Sequence, residues 1–310
     1  MRRLSAIALE TLLFVFVLLC TSESGFAGVL EAWGRNNQGE CDVPTGDDYV
    51  AIAAGYNHSL ALKADGSLWA WGSNSQGQCN VPAGNDFVAI AAGYYHNVAL
   101  KKDGSLWCGG AGVPPGDDYV DIACGFFHSL VLKKDGSIVA WGGNLDGQCD
   151  VPVGNDFVAI AAGASHSLGL KSDGSLVAWG SNIYGQTDVP TGSNYAAMDG
   201  SYFHSLALKN DGSLVAWGGD ADGQLDVPSG NDFVAVACGG HHSLALKKDG
   251  SIVAWGRSSD GQCDVPVGND FVAIAAGDYF GLGLTPEPAT LSLLALGGLA
   301  LLHRRRGTSS

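Results

Sequence analysis

The sequence predicts an all-β chain folded as a seven-bladed β-propeller, with short three-stranded blades and a circular closure of its N- and C-terminal strands. Three observations predict it. A Val-Pro pair recurs with its proline at Pro44, Pro82, Pro114, Pro152, Pro190, Pro228 and Pro266, in steps of 38, 32, 38, 38, 38 and 38 residues. Each unit holds three short extended runs bounded by turn residues. The last unit lacks its third run, and a surplus copy of that run stands at the other end of the chain.

The fourth unit shows the pattern most clearly. Its runs are Phe157 to Ala162, Ser167 to Lys171, and Leu176 to Trp179. None is long enough for a surface helix. Asp-Gly separates the second run from the third at Asp65-Gly66, Asp103-Gly104, Asp135-Gly136, Asp173-Gly174, Asp211-Gly212 and Asp249-Gly250. This pair fits a tight hairpin turn, because glycine accepts positive φ without a Cβ clash and aspartate tolerates it. In the second run Leu60 and Leu62 share one face and Ser59 and Ala61 the other; in the third, Trp69 and Trp71 oppose Leu68 and Ala70. Both faces of a blade are thus largely apolar, and both are expected to be covered by neighbouring blades.

The seventh unit supplies Phe271 to Ala276 and Phe280 to Leu284 but neither Asp-Gly nor Trp-Gly. The missing strand stands at the N-terminus as Gly28-Val29-Leu30-Glu31-Ala32-Trp33-Gly34. A ring needs that complementarity and an open solenoid does not. Closure also removes two exposed sheet edges.

The chain ends read differently from the repeats. Residues 1–27 are expected to be a signal peptide: Arg2-Arg3, an apolar run from Thr11 to Cys20, and Gly25-Phe26-Ala27 as a small-x-small cleavage site. An uncleaved anchor is the alternative, since Glu10 blurs the start of the apolar run. Residues 28–284 form the propeller. Residues 285–310 carry Pro286-Glu287-Pro288, an apolar stretch from Ala289 to Leu302, and Arg304-Arg305-Arg306. That stretch is shorter than the roughly 20 residues of an independent bilayer span. The three-part order resembles the C-terminal PEP-CTERM sorting signal of exported proteins in Gram-negative, exopolysaccharide-producing bacteria. The resemblance implies a transient transmembrane helix, a sorting peptidase at the membrane as a partner, and release or retention at the cell surface, outer membrane or extracellular matrix.

Charge narrows the partners. Residues 28–285 hold 11 Lys and Arg against 28 Asp and Glu, a difference of −17. Such a field repels nucleic acid and favours solubility or cationic partners, so no nucleic-acid role is expected. Glycine, at 46 residues, is about twice its usual share without a collagen period, as a fold of many tight turns requires.

The pattern Ala-Ala-Gly-x-x-His-Ser-Leu-Ala-Leu-Lys-x-Asp-Gly-Ser, followed by Trp-Gly-x-Asn-x-x-Gly-Gln, resembles the regulator-of-chromosome-condensation type repeat. The likeness is to its short-repeat form, seen in secreted bacterial propellers that inhibit β-lactamases, and it covers residues 28 to 284. It implies a propeller that binds protein through one face. Neither nucleotide exchange on a GTPase nor a particular target is carried over.

Several residue sets invite a chemical reading. His58, His96, His128, His166, His204 and His242 share one repeat position, with Phe280 as the seventh. Six copies spread around a ring do not converge as a catalytic or metal site must, so each is expected to orient the turn of its own blade by hydrogen bonds. Trp33, Trp71, Trp141, Trp179, Trp217 and Trp255 are likewise structural repeat positions. Cys41, Cys79, Cys149 and Cys263 share a position with Thr187 and Leu225, as small buried residues would; export permits disulfides, which spacing alone does not establish. Asp220-Ala221-Asp222-Gly223 and Asn144-Leu145-Asp146-Gly147 do not extend into a calcium loop. No catalytic, metal or cofactor site is expected.

The units differ most just before the histidine position. They carry Tyr56-Asn57, Tyr94-Tyr95, Phe126-Phe127, Ala164-Ser165, Tyr202-Phe203, Gly240-His241 and Asp278-Tyr279, all at one propeller phase and so on one face. The candidate binding face is Tyr56, Asn57, Tyr94, Tyr95, Phe126, Phe127, Tyr202, Phe203, His241 and Tyr279; inward folding to cap the blades is the other reading. A second asymmetry is the 32-residue step: Gly109 stands where other units place Trp, and the following loop is six residues short, leaving a notch that is either a groove or a decayed repeat. The expectation is an exported, monomeric, non-enzymatic surface or matrix protein that binds an unidentified surface protein. Extracellular polysaccharide binding is the alternative, and enzyme inhibition or polysaccharide cleavage is placed lower.

Overall fold

The computed structural model describes residues 27–109 and 112–286. Most of the expected signal peptide, and the tail beyond Pro286, lie outside the described residues. Every regular element described is a β-strand. The first is β1 (Gly28–Gly34). Triplets follow: β2 (Tyr49–Ala54), β3 (His58–Lys63) and β4 (Leu68–Gly72); β5 (Phe87–Ala92), β6 (Asn97–Lys101) and β7 (Leu106–Cys108); β8 (Tyr119–Cys124), β9 (His128–Lys133) and β10 (Ile138–Gly142). Next come β11 (Phe157–Ala162), β12 (His166–Lys171) and β13 (Leu176–Gly180); β14 (Tyr195–Gly200), β15 (His204–Lys209) and β16 (Leu214–Gly218); β17 (Phe233–Cys238), β18 (His242–Lys247) and β19 (Ile252–Gly256). The chain ends on β20 (Ala273–Ala276) and β21 (Phe280–Pro286), so the last strand runs two residues past the expected boundary at Leu284.

Five triplets form separate three-stranded antiparallel sheets. The sixth sheet has the order β20-β21-β1-β2-β3-β4, in which two three-stranded arrays meet at the single pair Gly28 and Tyr49. The N-terminal strand pairs with β21 along its whole length, from Gly28 opposite Pro286 to Gly34 opposite Phe280. First strands touch in series, β2 with β5, β5 with β8, β8 with β11, β11 with β14, β14 with β17 and β17 with β20, and β20 touches β2.

The hairpins follow the Asp-Gly rule. At Asp65-Gly66 the Lys63 N–H donates to the Ser67 carbonyl at 2.9 Å and Gly66 takes φ +88°, the left-handed conformation that ends a three-residue hairpin loop. The Asp65 carboxylate accepts from the Ser67 N–H and hydroxyl at 2.8 and 2.6 Å. Before each hairpin, the first strand carries a bulge, as between Phe157 and Ala159, which leaves Val158 unpaired and exposed while Phe157 is buried.

Middle strands form the core. Leu60, Leu130, Leu168, Leu206, Leu244 and Leu282 are fully buried, each contributing about 2 kcal/mol by burial. Third strands are only half covered: Trp71 is buried, but Trp69 is 48% exposed beneath the Lys63 ammonium. Two covered faces were expected there; Trp69 and Trp71 share a face, so cover on that face falls off along β4 from the Ser59 end towards the hairpin.

In β21 the usual Ser and Ala of the middle strand are Gly281 and Gly283. A Cβ on Gly281 would lie 2.4 Å from the Trp33 ring, so glycine here makes room for the N-terminal tryptophan. Trp33 is buried and its indole N–H donates to the Gln262 carbonyl at 3.0 Å, 229 residues away. Trp33→Ala is therefore expected to cost about 3–5 kcal/mol, as much as Trp179→Ala, in urea denaturation. A cost near that of an exposed residue would show that β1 carries no core.

Candidate binding face

The end of the sheets opposite the Asp-Gly hairpins is built from two kinds of segment. Gly-x-x-His turns join first and second strands, and Asn-x-x-Gly-Gln loops leave the third. Pairing of His166 with Gly180 places both at one end.

Each loop is closed by its own side chains. Asn182 accepts the Thr187 N–H at 2.9 Å and donates to Asp188 at 2.8 Å, while the Gln186 side chain accepts the Tyr184 N–H at 2.8 Å. The loop then reaches the next unit through a backbone carbonyl. The Gln186 carbonyl accepts the Ser205 hydroxyl at 3.0 Å and the Trp217 indole N–H at 2.9 Å. The same carbonyl is used at Glu40, by Ser59 and Trp71, and at Gln148, by Ser167 and Trp179.

The histidines act at the same junctions. Ser205 spends its proton on Gln186, so the ring N–H of His166 donates to Ser205 Oγ at 2.9 Å from the preceding unit. His58 meets Asn97, His96 meets Ser129, His128 meets Ser167 and His204 meets Ser243 at 2.7 to 2.9 Å. These bonds cross between units, where bonds within one blade were expected; the ring points along the repeat and its Nε2 reaches one unit on, while His204 also meets Ser201 of its own turn through Nδ1 at 2.8 Å, as expected. Inside its own unit the ring fills the space a Cβ on the turn glycine would need, 2.2 Å from Cε1 at Gly163. Nδ1 of His166 is buried without a partner, so a second proton has nowhere to go. Burial holds His166 down at about 3 and His96 and His128 at about 4.

The residues before the histidines form one aromatic row. Tyr56 stacks on Tyr94 with centroids 3.9 Å apart, Tyr94 meets Phe126 at 4.5 Å, and Phe126 meets Tyr202 at 4.2 Å across the unit whose residue is Ala164. His241 continues the row at 5.9 Å from Tyr202 and stacks on Tyr279 at 5.8 Å. Arg35 lies over Tyr279 at 4.2 Å and over Tyr56 at 6.0 Å, and donates to Asn57. Within each pair the first ring is turned inward: Tyr56, Tyr94, Phe126 and Tyr202 help to line a small cavity of about 70 Å³ to which every unit contributes. The second ring stands outside, with Tyr95 40% and Phe127 61% exposed. Inward capping and outward display are thus both present, divided between neighbouring residues.

Sequence reasoning missed four members of this face. Tyr184, 52% exposed, comes from a loop and meets Phe203 at 4.8 Å. Asp222, from the next loop, is 3.0 Å from His241. Arg35 and Arg257 both lie over Tyr279. Asp278 is buried 3.9 Å from Arg35, and burial raises its carboxyl to about 7. Burial likewise raises Asp121 to about 7 and Asp199 to about 6, and both accept backbone N–H groups, Asp199 from Cys238 of the next unit at 2.8 Å. These three carboxyls stand apart, each in its own surroundings. Among the described residues no cluster of three His, Cys, Asp or Glu could hold a metal, and no helix is long and apolar enough to cross a membrane. The loop cysteines Cys41, Cys79, Cys149 and Cys263 are free thiols that donate to carbonyls, as Cys149 does to Gly143 at 3.2 Å.

The 32-residue step leaves a cavity of about 300 Å³ between β7 and β10, where the notch was expected.

Fold and face together define a β-propeller-like repeat protein with one aromatic end. A family model for the regulator of chromosome condensation (RCC1) repeat matches residues 49–78, 87–111, 119–148, 157–186, 196–224 and 233–262. The chain belongs to that family. The PEP-CTERM protein-sorting motif matches residues 280–306 and marks the chain for export through a sorting system of Gram-negative bacteria. No curated protein matches in sequence. Among solved structures, Prp20p from Saccharomyces cerevisiae, described with its binding to Gsp1p and histones, is similar at TM-score 0.74 and 18% identity, over 96% of this chain and 98% of that one. Human WBSCR16 is similar at TM-score 0.69 and 16% identity, over 84% and 100%. The CRINKLY WD40 ectodomain of the Arabidopsis thaliana receptor kinase ACR4 is similar at 0.64 and 22%, over 77% and 93%. At these identities the likeness is one of fold.

The lowered histidines set a pH dependence. Between pH 6.5 and about 3 the unfolded chain binds a proton at position 166 that the folded chain refuses, so stability falls as pH falls, by up to about 1.4 kcal/mol per pH unit. His166→Phe, the residue found naturally at Phe280, should remove one proton from that slope. Unfolding free energies at pH 7, 6 and 5 measure it, and parallel curves for variant and wild type would contradict the buried neutral ring.

Proposed function

We infer that the chain is an exported, seven-bladed closed propeller that acts without catalysis, holding another macromolecule, a protein, on its aromatic end. Closure is supported by the pairing of β1 with β21 and by the contact of β20 with β2. The carrying observation for binding is the division of the aromatic row into stacked inner rings and exposed outer ones. Tyr95 packs edge-on against Tyr94 at 4.1 Å, and Phe127 against Phe126 at 6.1 Å. Exposed rings braced in this way lose little freedom on binding, and aromatic anchors dominate protein interfaces.

Charge favours a partner with basic groups. The loops of this end carry Asp146, Asp220, Asp222 and Asp260, while Arg35 and Arg257 are engaged with Tyr279. Strand direction supports display at a surface. β21 runs from Phe280 at the aromatic end to Pro286 at the hairpin end, so the sorting motif continues from the opposite end of the molecule. A chain held by that tail at the outer membrane or matrix presents its aromatic face outward.

The test is capture by the immobilised protein from the surface proteins and exopolysaccharide of a Gram-negative producer, compared with a triple variant Tyr95→Ser, Phe127→Ser, Tyr184→Ser. These side chains are exposed, so thermal stability should hardly change while capture of a basic protein falls at least about tenfold. Undiminished capture by the variant would overturn the face assignment, and ring-dependent capture of polysaccharide alone would replace protein by sugar as the ligand.

A further inference from the structure

The cavity at the short step occupies the place of a loop that other junctions keep. At Glu40, Gln148 and Gln186 the loop carbonyl accepts two donors of the following unit, as the Gln148 carbonyl accepts Ser167 and Trp179. Trp33, Trp71, Trp217 and Trp255 all donate to such a carbonyl. The loop's Gln side chain is buried at each of these places, between 0 and 5% exposed at Gln148, Gln186, Gln224 and Gln262. Before the third unit the loop is six residues short. Its Trp141 and Ser129 nevertheless remain and line the cavity with Tyr95, His96, Phe126 and Phe127. Among the described residues the Trp141 indole N–H has no acceptor, and the Ser129 hydroxyl meets only His96 at 2.8 Å and the Cys124 sulfur at 3.8 Å.

We propose that this cavity is a binding pocket for a peptide turn of a partner protein, which presents a backbone carbonyl to Trp141 and Ser129 and inserts a side chain of glutamine size between Phe126 and Trp141. The chemistry of the occupant comes from the junctions at Gln148 and Gln186, where a Gly-Gln turn satisfies the same two donors. Trp is a donor only, so the pocket selects an acceptor at that point. Its volume of about 300 Å³ lies at the small end of the range for ligand sites, with apolar walls and few oriented polar groups. The proposal rests on the reading of this end as protein-binding, and confines one contact of that surface to one pocket.

The probe is a cyclised, fluorescently labelled nonapeptide copying residues 181–189, which contain the Asn-x-x-Gly-Gln turn, titrated with the full chain. Binding is expected in the micromolar to millimolar range. Trp141→Phe keeps the ring and removes the N–H, and should weaken binding roughly three- to tenfold. In a second variant a copy of residues 71–80 replaces residues 109–112, restoring the missing loop. It should abolish peptide binding and raise the melting temperature, because the loop now occupies the pocket and takes both donors.

The proposal is overturned if the peptide does not bind at millimolar concentration, if it binds the loop-restored chain equally, or if Trp141→Phe changes nothing. It is also overturned if neutral oligosaccharides, and not the peptide, compete for the pocket in a Trp141-dependent way. The aromatic-face reading fails separately: peptide binding through Trp141 can persist when the Tyr95, Phe127 and Tyr184 substitutions leave protein capture undiminished.

Discussion

Among the described residues, a backbone carbonyl of the loop ties one unit to the next at every junction but the short step. At Glu40, Gln148 and Gln186 the loop carbonyl accepts a hydroxyl and an indole N–H from the following unit, and at the last two the preceding histidine donates to that same hydroxyl; at Gln224 and Gln262 it accepts the indole N–H. A blade is therefore completed by its predecessor. Contacts within a sheet fix the hairpins, and this junction, together with the apolar packing of neighbouring sheets, fixes the rotation of one sheet against the next. Because the acceptor is backbone, the side chain beside it can change: Glu40 serves where other units have Gln, and its carboxylate still closes its own loop by accepting the Gln38 N–H at 2.7 Å. An unpaired buried donor costs about 1–3 kcal/mol, so each junction resists loss of its loop.

Legibility in the sequence followed from what the repeat encodes. Strand positions, hairpin turns and the surplus N-terminal strand were readable because each is a local pattern repeated in register. Pairing of Gly28 with Pro286 then follows from complementarity of the ends. The reach of the histidines was not readable, since a repeat fixes which residues recur and not whether a ring turns back into its own unit or forward into the next. Exposure of Trp69 was hidden for a related reason: alternation puts Trp69 and Trp71 on one face of β4, and says nothing of how far along the strand the cover extends.

The face was half legible. Variable pairs before the histidines marked it, but Tyr184, Arg35 and Asp222 belong to a second segment that meets the first only in space. A signal was present in hindsight: Arg35 and Arg257 are the only cations in the Asn-x-x-Gly-Gln loops, and both turn to Tyr279. Arg35 also joins Asn57 of the first unit to Asp278 of the last, beside the strand pair that links the chain ends. The face and the seam thus share a residue.

The short step shows why specificity can be gained there with little loss of scaffold. At the short step no carbonyl of a described residue takes the Ser129 and Trp141 donors, yet β6 packs on β8, His96 bonds Ser129, and Gly109 N–H donates to the Asn97 carbonyl at 3.0 Å. Strand ladders and the histidine link survive, and only the loop's share of the junction is lost. A comparable deletion within a strand would shift register and turn a buried face outward. A shorter loop at a junction therefore opens a cavity with little disruption of the strands, and that cavity is lined with the residue types that hold the loop at other junctions.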